Sequence, residues 1–177
     1  VRLLVRSGYQ VADKPSYVTL ATLHLHDLFQ LGATLIGSHA FGVLTNQLGI
    51  RAEGDKTEDI DVARREELAL ANPVDFLDIL KRTGINFVEV PRLKVKEPST
   101  SFKEAGKSRL IVDLLAPSSN DRIGLIPVPE LNAHAATLPY LAYLLGRTQM
   151  GLLLGTQGIC PVRVPVPERF AIHKLIV

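Results

Sequence analysis

Residues 33–49 read ATLIGSHAFGVLTNQLG, and they decide the fold. The first five form a short apolar run closed by glycine, which predicts a buried strand entering a tight turn. After the turn Ala40, Val43, Leu44 and Leu48 recur at helical spacing. Strand, turn and helix leave no spare residue between them, so Gly37 and Ser38 stand where the helix opens. Unpaired backbone N–H groups and the positive end of the helix dipole can meet a phosphate there. Glycine permits close approach and serine adds a hydroxyl. Serine is also a good helix cap, so a purely structural Ser38 is the competing reading.

Downstream, RAEGDKT (51–57) is polar and glycine-bearing and makes a loop, and EDIDVA (58–63) alternates acid with apolar residue as a half-buried strand does. Asp59 and Asp61 then project from one face and can hold one hard cation, with Glu58 on the other face. A chain with 18 acidic residues in 177 contains about two such pairs by chance, so the pair is informative only in company. That company is Asp113 in LIVDLLAP (110–117): a carboxylate among Ile111, Val112, Leu114 and Leu115 is costly to desolvate unless it is paired, metal-bound or exposed.

The rest of the chain reads as α/β with an antiparallel portion. Tyr17–Leu31 is apolar with few breakers and favours a helix, although its alternating stretch also suits a strand. A helix is expected from Asn72-Pro73 through VDFLDILKRTG to a stop at Gly84, then a strand in INFVEV. Lys94 to Ser101 read as a loop, and TSFKEA and SRLIVDLLAP as a hairpin around Ala105-Gly106-Lys107 that ends in Pro117-Ser118-Ser119-Asn120. Beyond Pro127 two apolar strands are expected, then a proline-marked edge segment, PVRVPVP, then a helix at ERFAIHKLIV. The expected architecture is a short mixed central sheet with helices behind it, in one domain: a helical lead-in over 1–32, a catalytic core over 33–126, and accessory strands with the start of a C-terminal helix over 127–177.

Composition agrees with a folded domain, at 46% hydrophobic and 21% charged residues. Net charge is only +2, so bulk charge does not announce a nucleic-acid binder. A single cysteine, Cys160, excludes an intrachain disulfide and suits a reducing compartment; it reads as buried and inert. The best membrane candidate, Leu138–Gly155, is interrupted by Arg147, Thr148 and Gln149 and reads as two strands. No membrane span and a cytoplasmic location are expected. The chain opens at Val1 and stops at Val177 inside an apparent helix, so a further helical region downstream is expected to finish the nucleobase or acceptor pocket.

A Gly-Ser turn, an acid-x-acid strand and a later third acid, in that order, resemble the DNA polymerase beta-like nucleotidyltransferase superfamily. More narrowly, GSHAF, GIR, TEDIDVAR, VDLLAP and PERFAIHKLIV, spanning about residues 30 to 177, look like a bacterial family of uncharacterised nucleotidyltransferases, distantly similar to abortive-infection nucleotidyltransferase toxins. The resemblance implies an EC 2.7.7-type transferase that moves an NMP group from an NTP to an acceptor and releases pyrophosphate. It implies two Mg2+ ions, with Mn2+ as a substitute, bridged by Asp59 and Asp61. Asp113 would bind the catalytic ion and help deprotonate the attacking hydroxyl. Lys174, on a helix whose Ile172, Leu175 and Ile176 are expected to face the core, would reach the phosphates. His39 after the turn would hydrogen-bond a nucleotide or the acidic loop, and Arg51, Lys56, Arg64 and Lys103 are weaker phosphate candidates. The acceptor, whether tRNA, protein or a small hydroxylated molecule, is not legible, nor is the preferred NTP.

Two other readings stay open: a toxin or phage-defence transferase with an antitoxin partner, and a catalytically inactive nucleotide-binding or interaction module on the same fold. Thr57 is expected to cap or orient the acidic loop. His24 and His26, two apart on a helix, point to different sides, and His134 and His173 lack ligand spacing. Phe41, Phe87, Phe102 and Phe170 are scattered and expected in the core, and without tryptophan the chain shows no aromatic platform for stacking single-stranded nucleic acid.

Overall fold

The structure is a computed structural model, and it describes residues 2–51, 57–92, 97–106, 109–120 and 122–177. After a short helix α1 (Arg2–Arg6), α2 (Lys14–Leu25) opens where Asp13 accepts a hydrogen bond from the Ser16 N–H at 2.7 Å. Its buried face includes threonines, whose hydroxyls donate to carbonyls one turn back, Thr19 to Pro15 and Thr22 to Val18 at 2.9 Å each. Those satisfied hydroxyls let a helix carry a sequence that alternates like a strand. The helix ends at Leu25 rather than running on to Leu31, and Asp27 turns the chain with φ +59°.

The strand, turn and helix expected at 33–49 are present as β1 (Thr34–Ile36) and α3 (Gly37–Gln47), and the acid-x-acid strand is β2 (Asp59–Ala63). Helix α4 (Phe76–Lys81) is shorter than expected. Asp75 is its cap, accepting from the Asp78 N–H at 3.0 Å, and the Val74 N–H just before it donates to the Glu130 carbonyl at 3.0 Å instead of to a helical partner. Next come β3 (Phe87–Glu89) and the expected hairpin of β4 (Ser101–Glu104) and β5 (Ile111–Pro117). Lys107 of its turn and part of the Lys94–Ser101 loop lie outside the described residues.

The C-terminal third departs from expectation. A strand β6 (Gly124–Val128) precedes a 3-10 turn (Pro129–Leu131) and β7 (Ala133–Leu138), and Leu141–Leu144 form a helical turn, α5, where a strand was expected. Tyr140 at φ +60° breaks the strand just before it. The PVRVP segment belongs to β9 (Gly158–Pro165), paired along its length with β8 (Thr148–Gly155) in a separate two-stranded sheet. Each strand of a two-stranded ribbon has a free edge, so prolines fit there. Helix α6 (Pro167–Ile176) follows.

The central sheet runs β1-β2-β5-β4-β3, with β7 joining β5 and β6 joining β7. β2 and β5 are parallel, β1 and β4 antiparallel to their neighbours. One face carries Leu35, Ile60, Val62, Phe102, Val112 and Leu114, all buried. Helix α4 covers it through Phe76, whose ring meets Phe102 edge-on at 5.2 Å. The apolar members of each alternation are therefore consumed by the core, and the acids are left on the opposite face.

Glu130 ties the loop after β2 to the turn before β7. It is 4% exposed; its Oε1 accepts from the Leu68 N–H at 3.2 Å and pairs with Arg64 at 3.3 Å. Arg64 is thereby engaged in a structural pair rather than offered to a phosphate. Glu130→Ala leaves that guanidinium unpaired, and the expected result is a loss of about 3 kcal/mol and a melting temperature lower by about 10 °C in a thermal melt. Glu130→Gln, which keeps the Leu68 bond, should lose less.

Candidate active site

The three acids meet through strand register. Asp61 lies directly beside Asp113 across the parallel β2–β5 pair, and Asp59 sits two residues before Asp61 on the same face. Asp113 is in turn paired with Ser101 of β4, whose hydroxyl donates to its carboxylate. The next row of that face runs from Asp59 through Ile111 to Lys103, which places the exposed Lys103 two strands from Asp59. Thr57 Oγ1 accepts from the Asp59 N–H at 3.2 Å, the orienting bond expected of it. Glu58 is turned to other work, accepting from the Arg109 N–H at 2.9 Å.

The Gly37–Ser38 turn comes up against these acids because β1 is paired with β2, Ile36 opposite Asp61. Gly37 has φ +67°, and a Cβ there would run into the Asp61 carboxylate. Both demands select glycine. The cap position of α3 is Ile36, and no side chain caps the helix, so Ser38 is not the structural cap. It is exposed in the first turn of an uncapped helix, with backbone donors beside three carboxylates.

The electrostatics follow from this crowding. Burial pushes the Asp61 carboxyl up to about 6, the Asp113 and Asp59 carboxylates push it the same way, and the Lys174 ammonium pulls it down. Burial also raises Asp113, opposed by the Ser101 hydrogen bond and helped by the charge of Asp59. His39 is buried with its Nε2 unpartnered; burial lowers its basicity against the pull of Asp13 and Asp59, which favours the neutral imidazole.

Like charges that destabilise one another on a half-open face fit a hard divalent cation. Among the described residues, no three or more His, Cys, Asp or Glu side chains form a cage of their own. Mg2+ does not require one, since it keeps several waters and takes one or two carboxylates together with substrate phosphates.

Of the cations expected near phosphate, Lys174 lies within electrostatic reach of Asp61 and shares a groove with Ser38. Its helix is not seated as expected: Ile172, Leu175 and Ile176 are 45%, 87% and 53% exposed, and Phe170 is the residue α6 buries. The long stem of Lys174 therefore stands on an open helix surface. Arg51 has its guanidinium over the Tyr9 ring, 4.0 Å from the centroid. Lys56 lies outside the described residues. Cys160 is buried, with its thiol pushed up to about 11, as an inert core residue should be.

Two cavities flank α3 beside the turn, and the extended segment around Gln10 crosses between them at Gly42. Asn46 clamps that crossing, its side chain exchanging two 2.8 Å hydrogen bonds with the Gln10 backbone. One cavity, about 440 Å3, reaches His39, Asp13, Thr57 and Thr156. The other, about 520 Å3, lies between α3 and α6 and reaches Lys174, Phe41 and Phe170. Phe41, like the apolar residues of α6, is not where the sequence predicts: it is 40% exposed in this groove, not buried in the core. Its place three residues after Ser38, on the same helix face, was the signal available.

No helix among the described residues is long and apolar enough to cross a membrane. No curated protein and no solved structure matches the chain. A family described as Nucleotidyltransferase matches residues 18–177, which include the Gly37–Ser38 turn, all three acids and Lys174, and the chain belongs to that family.

Proposed function

We propose that the protein transfers an NMP group from an NTP to a hydroxyl acceptor with Mg2+, releasing pyrophosphate. The observation that carries this reading is the in-register pairing of Asp61 with Asp113, with Asp59 on the same face, against the uncapped opening of α3. Bound Mg2+ supplies charge neutralisation for the attacking and leaving oxygens. Asp59, Asp61 and Asp113 are the residues that would hold it. The first-turn backbone of α3, the Ser38 hydroxyl and the Lys174 ammonium receive the phosphates of the donor and orient its α-phosphorus toward the acids.

Asp113, made more basic by burial and steered by Ser101, is suited to take the proton of the attacking hydroxyl. The bond from acceptor oxygen to α-phosphorus forms as the bond to the bridging oxygen breaks, and pyrophosphate carries away the electron pair. The class of acceptor decides the biology. Growth arrest on expression, relieved by a co-expressed partner, is the outcome expected of the toxin alternative, whichever acceptor is modified.

The test is incubation of the protein with each α-labelled NTP, Mg2+ or Mn2+, and a bacterial extract separated into RNA, protein and metabolite fractions. Label in one fraction with matching pyrophosphate release is the expected result. NTP binding with no label and no pyrophosphate from any NTP would instead make the protein a binding module.

A further inference from the structure

We infer that the groove between α3 and α6 is the nucleobase site, with the base lying on the exposed face of Phe41 while the phosphates occupy the Ser38 and Lys174 end. The inference rests on the nucleotidyl-transfer reading and specifies which flank of α3 the donor occupies. The groove has the polarity of a nucleotide. At one end are Ser38 and Lys174, beside the acids; at the other are Phe41, Leu48 and Ile50, with Leu48 57% and Ile50 49% exposed. Phe41 is held flat by Phe170 beneath it, the rings 6.2 Å apart and inclined by 25°. Phe170 is 6% exposed and Phe41 40%, so one ring anchors and the other presents surface.

A flat, fixed, half-exposed ring is a stacking platform, and every base has a π-face to meet it. The spacing also suits. Ser38 and Phe41 are three apart on one helix and lie on the same face about 5 Å apart, so one ligand can touch both. The cavity on the other flank also reaches Ser38, but it sets Asp13 beside Lys14, and its one ring, His39, is buried at 8% exposure and offers no open face for stacking. At the apolar end of the groove the Thr45 hydroxyl is engaged by the carbonyls of Phe41 and Gly42 at 2.9 and 3.2 Å. Recognition there is by stacking more than by reading base edges, so all four NTPs bind, purines a few-fold tighter than pyrimidines.

The test is calorimetric titration of the full chain with ATP and with inorganic tripolyphosphate, both with Mg2+. Wild type should bind ATP about tenfold tighter than tripolyphosphate, the worth of a stacked base. Phe41→Ala should erase most of that difference and leave tripolyphosphate binding unchanged, and Phe41→Tyr should restore it. Thr156→Trp, which fills the other cavity from its exposed turn, should behave as wild type. Because the chain has no tryptophan, Phe41→Trp adds a reporter whose fluorescence ATP should quench and tripolyphosphate should not, even if the alanine variant is poorly folded. Equal binding of the two ligands by wild type, a difference that survives Phe41→Ala, an unquenched Phe41→Trp, or a difference lost in Thr156→Trp would each overturn the assignment. Failure of wild type to bind either ligand would overturn the transfer reading itself, and this assignment with it.

Discussion

Asp61→Asn is expected to abolish nucleotidyl transfer, by at least about a thousandfold, while making the metal-free protein more stable near neutral pH. The two effects share one cause. Burial of Asp61, reinforced by the charges of Asp113 and Asp59, raises its carboxyl from the ordinary 3.8 to about 6. The folded protein therefore holds that proton more tightly than the unfolded chain. The associated stability is fully present below about pH 4 and is lost as pH rises through about 6. Above pH 6 the ionised carboxylate costs up to about 3 kcal/mol, a shift of roughly two units at 1.36 kcal/mol each. Asparagine cannot ionise, so the variant should melt higher than wild type at pH 7 to 8 and nearly equal to it at pH 4. Saturating Mg2+ and NTP should raise the wild-type melting temperature and leave the variant's nearly unchanged, because a ligand stabilises only the state that binds it. Wild-type turnover by the variant, or a stability gain that does not change with pH, would remove Asp61 from the role argued for it.

Gly37→Ala should lower affinity for NTP with Mg2+ by about a hundredfold or more, as expected when a close phosphate contact and a carboxylate are displaced together. Two costs combine at this position. The left-handed backbone, φ +67°, costs an L-residue about 1–2 kcal/mol. The added methyl also meets the Asp61 carboxylate and must push it out of line with Asp113. Gly49→Ala separates these costs, since Gly49 has φ +68° with nothing near its would-be Cβ. Gly37→Ala, which carries both costs, should lose more stability in a thermal melt than Gly49→Ala, which carries only the backbone cost, and only Gly37→Ala should lose NTP binding in a titration. Equal affinities for the two would mean that contact between the turn and Asp61 does not matter.

Much of the frame was legible because it is local. An apolar run closed by glycine and followed by helical spacing allows little besides a strand, a turn and a helix, and β1 and α3 are that. Period-two alternation places Asp59 and Asp61 on one face whatever surrounds them, and the hairpin of β4 and β5 follows from its turn residues. Where local signals were weak, tertiary contacts decided. The LAYL segment is apolar enough for a strand, yet it folds as a helical turn after the left-handed Tyr140. The start of α4 was set by the Asp75 cap and by the Glu130 carbonyl, far along the chain, accepting from the Val74 N–H.

The candidate site divides along the same line. Its chemistry, a helix-opening Gly-Ser and three carboxylates, was in the residues themselves, because side-chain types and short periodicities are properties of the chain. The placement of Asp113 beside Asp61 was not, since residues about fifty positions apart meet only through a parallel register, and a slip of one residue would turn either acid to the opposite face. Nor was the exposure of Phe41 on its groove, or the seating of α6 on Phe170 with Ile172 and Leu175 left open. An apolar side chain looks the same in sequence whether a neighbour covers it or not. Burial is decided by which distant elements pack across it, and that information exists only once the sheet, the hairpin and the helices have come together.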